Sequence, residues 1–407
     1  MRFPGFQGEW ETKRLGDIMD FKVTNSFSRE NLNYKVGTVK NIHYGDIHTK
    51  FQTLFDLEKE IVPYINEEIS LTRILEDFYC QEGDMIFADA SEDLNDVGKS
   101  IEIVNLNNEK LLSGLHTLLA RPHQSYFYKG FNGYLFKSKD VRNQIKKEAQ
   151  GSKVLSINVG RISNLKLSFP TIEEQLKISS LLSLIDERIS KSMKIISHLE
   201  SLMNELREKI FSQQFRFKDD LGNNFPKWQS KKFGDIGTFF SGGTPLTSNK
   251  SYYKGNIPFI KSGEIDSTKT AQFISQEALK KSSAKMVNKG DLIYALYGAT
   301  SGEVGLAKID GAINQAILCI RTSLNSSYLL NYLKLKKESI LKTYLQGGQG
   351  NLSADIVKSL IIPIPTSDEQ IKIAQFLSSL NIKISLEKEL LVQYENQKKY
   401  LLSNLFI

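Results

Sequence analysis

Residues 10–18 read W-E-T-K-R-L-G-D-I, and residues 228–236 read W-Q-S-K-K-F-G-D-I, the same frame 218 positions later. E-G-D-M-I-F-A at Glu82–Ala88 returns as K-G-D-L-I-Y-A at Lys289–Ala295, an offset of 207. That offset holds through Asp96-Val97-Gly98 and Glu303-Val304-Gly305. F-P-T-I-E-E-Q at Phe169 returns as I-P-T-S-D-E-Q at Ile364, offset 195, and stays in frame to the end. Three matches in one order describe a tandem duplication, and a repeat of this kind decides the fold before any single element does. The falling offset gives the first copy 23 more residues between its Trp and its helix.

Each copy has two parts. The front part carries short apolar, β-prone runs between Gly turns, such as Met85–Phe87, Ile257–Ile260 and Leu292–Leu296. These predict a globular α+β head with strands dominating. The back part opens with Pro-Thr and acidic residues, a helix-start signal. About forty residues without Pro or Gly follow in the first copy, ending at Phe211. There Leu182, Ile185, Ile189, Ser192, Ile196, Leu199, Met203, Leu206 and Ile210 alternate steps of three and four, a heptad seam with a polar break at Ser192. The second copy places Leu377, Leu380, Ile384, Glu387, Leu391, Tyr394, Lys398, Leu401 and Leu405 on the same frame. Each helix would be roughly 60 Å long. Two matching seams can satisfy each other as an antiparallel coiled coil within the chain; the alternative is two helices packed into separate cores. Arg2-Phe3 is the counterpart of Arg216-Phe217, so the chain starts where a third repeat would continue, and one chain would imitate a head-to-tail dimer.

Composition bounds the function. The 407 residues are 40% apolar and 24% charged, which suits two or three globular domains. No stretch approaches the ~18 uninterrupted apolar residues of a membrane span. M-R-F-P-G-F-Q-G-E-W has no secretory apolar core, and Cys80 and Cys319 lie far apart, so a reduced, cytoplasmic chain is expected. The net charge of +7 weakly favours a polyanionic partner. It is unevenly spread: residues 11–150 carry 18 basic and 22 acidic side chains, residues 229–350 carry 16 and 8.

The tools of an enzyme are missing. There is no Pro-Pro, hence no D/N-P-P-Y/F element of an amino-methyltransferase, and no Pro-Asp of a common nuclease signature. Val97-Gly98-Lys99-Ser100 has Asp93 where a phosphate loop needs its first Gly. His43, His48, His116, His123 and His198 form no HExxH and no Cys/His cluster, so no metal site is expected. No Gly-x-Ser-x-Gly elbow occurs. The residues describe a binding protein rather than a catalyst.

In this order, twice over, the elements resemble the specificity subunits of type I restriction-modification systems. The carriers are W-x5-G-D-I at each head, S-G-G-T-P at Ser241, I-P-F-I-K-S-G-E-I at Ile257, G-D-L-I-Y-A-L-Y-G-A-T-S-G-E-V-G at Gly290, I-N-Q-A at Ile313 and the two P-x3-E-Q openings. The resemblance spans nearly the whole chain. It implies two pseudo-twofold-related target recognition domains, residues 1–168 and 213–363, with spacer helices at 169–212 and 364–407. Each head would read half of a bipartite, asymmetric site on double-stranded DNA, and the paired helices would set the gap. The resemblance implies that this chain would hold no cofactor of its own. It would dock two methyltransferase subunits, which flip an adenine and use S-adenosylmethionine, and two nuclease subunits needing ATP and magnesium can join. A specificity chain for a fused nuclease–methylase and a coiled-coil protein scaffold are the alternatives.

Base-reading and phosphate-binding residues should be polar and sit in loops at strand ends. In the second copy these are Ser241, Gly242, Gly243 and Thr244; Lys261, Ser262 and Glu264; Tyr297, Thr300 and Ser301; and the amides Asn314 and Gln315, suited to adenine N6/N7. The first copy lacks S-G-G-T-P, having Lys22-Val23-Thr24-Asn25-Ser26 instead, and its D-A-S-E-D-L-N-D loop is acidic. Lys40, Asn41, His43 and Tyr44 form its best base-reading loop, read with Ile42-His43-Tyr44 as an insertion. Lys99 and Arg121 are candidate phosphate contacts, Arg121 aligning with Arg321. Leu181, Ile195, Phe376 and Leu390, flanking the seam, are candidates for the methyltransferase interface.

Overall fold

The computed structural model describes residues 2–123, 125–344 and 351–406. The chain packs as two compact units, residues 1–192 with 390–407, and residues 193–389. Each unit takes part of both long helices, so the boundary between units falls inside the helices rather than at their ends.

In the first unit a five-stranded sheet runs in the order Met19–Lys22, Thr117–Pro122, Met85–Ala88, Ser100–Asn105, Leu54–Asp56. A second sheet orders Lys110–Ser113, Val39–Ile42, Tyr64–Ile65, Leu32–Asn33. The second unit repeats the plan. Gly237–Ser241, Ile317–Thr322, Leu292–Ala295 and Val304–Leu306 form one sheet, and Phe273–Ile274, Ile257–Ile260, Gly311–Ile313 and Lys285–Val287 the other. The predicted strands Met85–Phe87 and Leu292–Leu296 become the central strands Met85–Ala88 and Leu292–Ala295, every residue buried, as an apolar run covered on both faces must be. Leu54–Asp56 has no counterpart in the second unit and belongs to the extra length of the first copy. Each copy also has a two-stranded ribbon joining its start to the entry of its long helix: Glu11–Arg14 with Lys166–Phe169, and Gln229–Lys232 with Ile361–Ile364.

The repeated G-D element now has a physical role. Asp84, fully buried, accepts Arg121 Nε and Nη2 at 2.9 Å each, and Asp291 accepts Arg321 Nη2 at 2.6 Å. The Asp turn before each central strand is thereby tied to the neighbouring strand.

The long helices run Ile172–Phe211 and Ser367–Asn404; the expected end at Ile407 lies outside the described residues. Within the first unit Lys398 pairs with Asp186, and Arg188 Nη1 donates to Tyr394 Oη at 3.2 Å, so the helix segments run antiparallel. Leu182 and Ile185 share the core there with Leu401 and Leu405. In the second unit Lys388 pairs with Glu200 at 2.6 Å, and Met203 and Ile210 share a core with Leu377 and Ile384. Every seam residue of both helices is buried or half-buried. A seam is thus present, but it is also part of each head's core: Phe87 and Tyr134 join the first, Tyr294 and Tyr328 the second.

The P-T-x-x-E-Q openings do more than suit the helix dipole. Glu174 is fully buried and accepts Arg2 Nη2 at 2.8 Å and Nε at 3.3 Å. Glu369 accepts Arg216 Nη2 at 2.8 Å and Nε at 3.1 Å, and also Trp228 Nε1 at 2.9 Å. Gln175 and Gln370 each donate to the helix-opening Pro carbonyl at 2.9 Å and accept a loop N–H, from Tyr128 at 2.8 Å and Asn325 at 2.9 Å. The motif therefore locks the helix start, the head and the residues before the Trp together. One difference between the copies is that Trp10 Nε1 is buried without a partner among the described residues.

Candidate nucleic-acid interface

Strand register decides which loops meet. In the second unit Ile257–Ile260 runs parallel to Gly311–Ile313, with Ile260 opposite Ile313. Both strands end together, which sets Lys261 and Ser262 beside Asn314 and Gln315. Ser241 pairs with Leu318 at the end of its own strand, bringing the S-G-G-T loop to the same edge. There Thr244 Oγ1 donates to Gln315 Oε1 at 2.7 Å. Gly242 is required: a Cβ would lie 1.8 Å from the Ile313 carbonyl oxygen. Leu296 N–H donates to Ala316 O at 2.8 Å, so Tyr297 leaves its strand at this edge too. Four sequence-distant loops therefore converge, with Thr244, Lys261 and Gln315 exposed and Ser241, Ser262, Tyr297, Thr300 and Asn314 half-buried.

Several expected contacts turn out to be braces. Glu264 accepts from Lys261 N–H at 3.1 Å, Ala271 N–H at 3.0 Å and Thr270 Oγ1 at 2.9 Å. Burial works against its ionisation, but these donors outweigh it and hold the carboxyl below its usual range. Ser301 is buried and donates to Leu296 O at 3.0 Å. Gly243 is buried against Ser283. These three shape the loops rather than face a ligand.

The first unit builds the same edge from different residues. Val39–Ile42 runs parallel to Lys110–Ser113 with Ile42 opposite Ser113, as Ile260 stands opposite Ile313. V-K-N-I-H-Y-G-D-I at Val39 thus superposes without a gap on I-P-F-I-K-S-G-E-I at Ile257, offset 218. The expected insertion does not exist; His43 stands for Lys261 and Tyr44 for Ser262. Identity had drifted too far across Lys40-Asn41 for residue matching to find this, whereas the parallel register does.

Asn41 is wholly buried and accepts Asn25 Nδ2 at 2.6 Å, because its place on the strand points inward. His43, 8% exposed, caps the helix Tyr44–Thr49 by accepting Gly45 N–H at 3.2 Å. Burial and then the nearby Arg29 pull its imidazole below the ordinary range, which suits a neutral acceptor. Lys40 pairs with Glu109 at 2.8 Å. Lys99 donates to His48 O at 2.7 Å. Arg121 spends its guanidinium on Asp84, Asp77 and the Tyr79 carbonyl, which corrects its assignment to phosphate. Tyr44 remains half-buried and edge-on to His116 and His48, at 5.3 and 6.0 Å. His48 and His116, packed on Tyr44, are edge residues that sequence reasoning missed, whereas Asn25 spends its amide on Asn41, the Ser113 carbonyl and Phe27 N–H. No periodicity marks the two histidines, since they come from separate crossings of the chain.

The acidic loop is tethered to its own head with Glu92, Asp93 and Asn95 exposed. Arg142 donates to the carbonyls of Asn95 and Val97 at 2.8 Å each, and Lys146 to Asn95 Oδ1 at 2.8 Å. On the helices, Ile195 and Phe376 are exposed, whereas Leu181 packs against the first core and Leu390 is half-buried, because both lie next to the seam. Leu184, Met193, Ile382, Leu386 and Val392 are more exposed and were not anticipated. Among the described residues no cluster could hold a metal ion, and no helix is long and apolar enough to cross a membrane.

Two divergent polar edges thus recur on a duplicated scaffold, each beside segments of the long helices. Residues 7–201 and 226–396 match the type I restriction modification DNA specificity domain, once in each copy, and the chain belongs to this family. It carries the DNA specificity domain of type I restriction modification twice. It is 24% identical over 418 residues to the MjaX type I restriction enzyme specificity subunit of Methanocaldococcus jannaschii, covering 97% of this chain and 92% of that one. It is 23% identical over 236 residues to the EcoR124I/EcoR124II specificity subunit of Escherichia coli, covering 55% and 57%. The type I S subunit from M. genitalium shares the fold, with TM-score 0.63 and 15% identity over 100% of this chain and 99% of that one.

Proposed function

We propose that each head reads one half of a bipartite, asymmetric duplex site, the first through residues 1–168 and the second through residues 213–363. The spacer helices at 169–212 and 364–407 set the gap and dock two methyltransferase subunits. The observation that supports this reading is the recurrence of one loop edge in both copies with different side chains: Thr244, Lys261, Asn314 and Gln315 in one, Tyr44 and His116 in the other. Equal scaffolds with unequal edges are what a split, asymmetric sequence requires. Exposed apolar residues on the helices, Leu184, Met193, Ile195, Ile382, Leu386 and Val392, supply the docking faces. S-adenosylmethionine belongs to the methyltransferase partners, ATP and magnesium to any nuclease subunits, and the assembly works in the cytoplasm.

The test is selection from a random duplex pool by the assembled complex. Gln315→Ala is expected to relax one position of one half-site, at ~1–3 kcal/mol per lost base contact, and leave the other half unchanged. Unchanged preference at every position, or equal loss in both halves, would contradict the assignment.

A further inference from the structure

The first unit contains a basic cleft that the DNA-reading edge does not use. It has a volume of about 480 Å³, the scale of a nucleotide-sized ligand. Its walls are the segment around helix Lys139–Glu148 on one side and the last turns of the second long helix on the other. Lys137, Lys139, Arg142, Lys146, Lys398 and Lys399 line it, against two carboxylates, Asp186 and Glu395.

Half of these cations are already committed. Arg142 and Lys146 brace the acidic loop, and Lys398 pairs with Asp186. The side-chain amines of Lys137, Lys139 and Lys399 have no hydrogen-bond or ion-pair partner among the described residues. Lys137 is half-buried, which is unusual for an ammonium group without a partner. Its amine is pushed down to about 7, by burial first and then by Lys398, Lys99 and Arg142, with Asp186 opposing. Gln52, Asn143 and Ser403 add neutral hydrogen-bonding groups at the rim.

We propose that this cleft is a binding site for a small, multiply charged phosphate anion of the oligophosphate or nucleotide class. Three uncommitted ammonium groups on two facing walls match an anion with several charged oxygens at short spacing, and a concave site focuses their field. A duplex is too broad to enter a cleft of this volume and reach Lys137, so the ligand is a free anion rather than the DNA backbone. An arriving anion would restore the full charge of Lys137, so binding takes up a proton above neutral pH.

The probe is inorganic tripolyphosphate, titrated calorimetrically into the full chain at low salt and pH 8 in two buffers of different ionisation enthalpy. Sub-millimolar affinity and net proton uptake are expected. Lys137→Met should weaken binding at least tenfold and abolish the uptake. Lys139→Ala and Lys399→Ala, on exposed side chains that leave folding intact, should each weaken it several-fold, and Lys289→Ala not at all. No binding at millimolar tripolyphosphate, or affinity unchanged in all three cleft variants, overturns the proposal. So does a random-sequence duplex that competes with tripolyphosphate and loses affinity in parallel in the same variants, since the cleft would then be part of the DNA path.

Discussion

Replacing Arg216 by Ala removes the main partner of Glu369, a carboxylate with no exposed surface. Stripping one member from a buried ion pair costs ~3–5 kcal/mol, because the remaining charge is left in the interior. Glu369 would keep the indole donor of Trp228 at 2.9 Å, and a hydrogen bond to a charged group is worth ~1.5–3 kcal/mol, so the loss should fall near the low end. The duplicate provides the control. Glu174 is equally buried, but among the described residues it has only Arg2, and Trp10 Nε1 has no partner. Arg2→Ala should therefore cost the first unit ~1–2 kcal/mol more than Arg216→Ala costs the second. The chain has only two tryptophans, one in each unit, so urea unfolding followed by fluorescence resolves the units. Trp10→Phe leaves Trp228 as reporter of the second, and Trp228→Phe leaves Trp10 for the first; the second background also removes the extra donor. Pairing Arg216→Met with Glu369→Leu should recover most of the loss, since replacing both charges is close to neutral. A loss below ~1 kcal/mol for Arg216→Ala, or no recovery in the pair, would refute the claim that this carboxylate depends on its cation.

Glu102 is wholly buried, and burial pushes its carboxyl up to about 7 although Gly130 and Gly133 N–H groups donate to it. A carboxyl raised in the folded state adds stability that is full below its unfolded value near 4.5 and lost as pH rises through about 7. The stability of wild type relative to Glu102→Gln should thus fall by about 3 kcal/mol between pH 4.5 and 8, measured by denaturant unfolding. Gly242→Ala should displace the S-G-G-T loop from Ile313 and cost about 1–3 kcal/mol, with DNA affinity falling further than thermal stability. Lys261→Ala, if Lys261 meets phosphate, should weaken all duplexes alike and lower the salt slope by ~1 in binding isotherms from low to moderate salt.

The duplication, the strand-rich heads and the heptad seams were legible because each is a pattern repeated in the chain itself. Glu174 and Glu369 were visible as helix-opening acids, but their pairing with Arg2 and Arg216 depends on residues more than 150 positions away. The same limit governs the site. Loop chemistry singled out Thr244, Lys261 and Gln315, and strand register brings them to one edge, since Gly-rich turns after apolar runs mark strand ends. It could not tell Lys261 from Glu264, one exposed and one folded back onto its own loop. In the first copy the false gap displaced attention onto Lys40, which pairs with Glu109, and Asn41, which is wholly buried, and away from His116, whose ring meets that of Tyr44 from a separate crossing of the chain.

The most direct test of the account is to co-express the chain with its methyltransferase partner in an unmethylated host and sequence the modified bases. A single split motif, methylated at one adenine in each half and changed in one half only by Gln315→Ala, is the predicted result. A soluble assembled complex that leaves the host DNA unmodified, or that methylates an undivided or symmetric site, would contradict it.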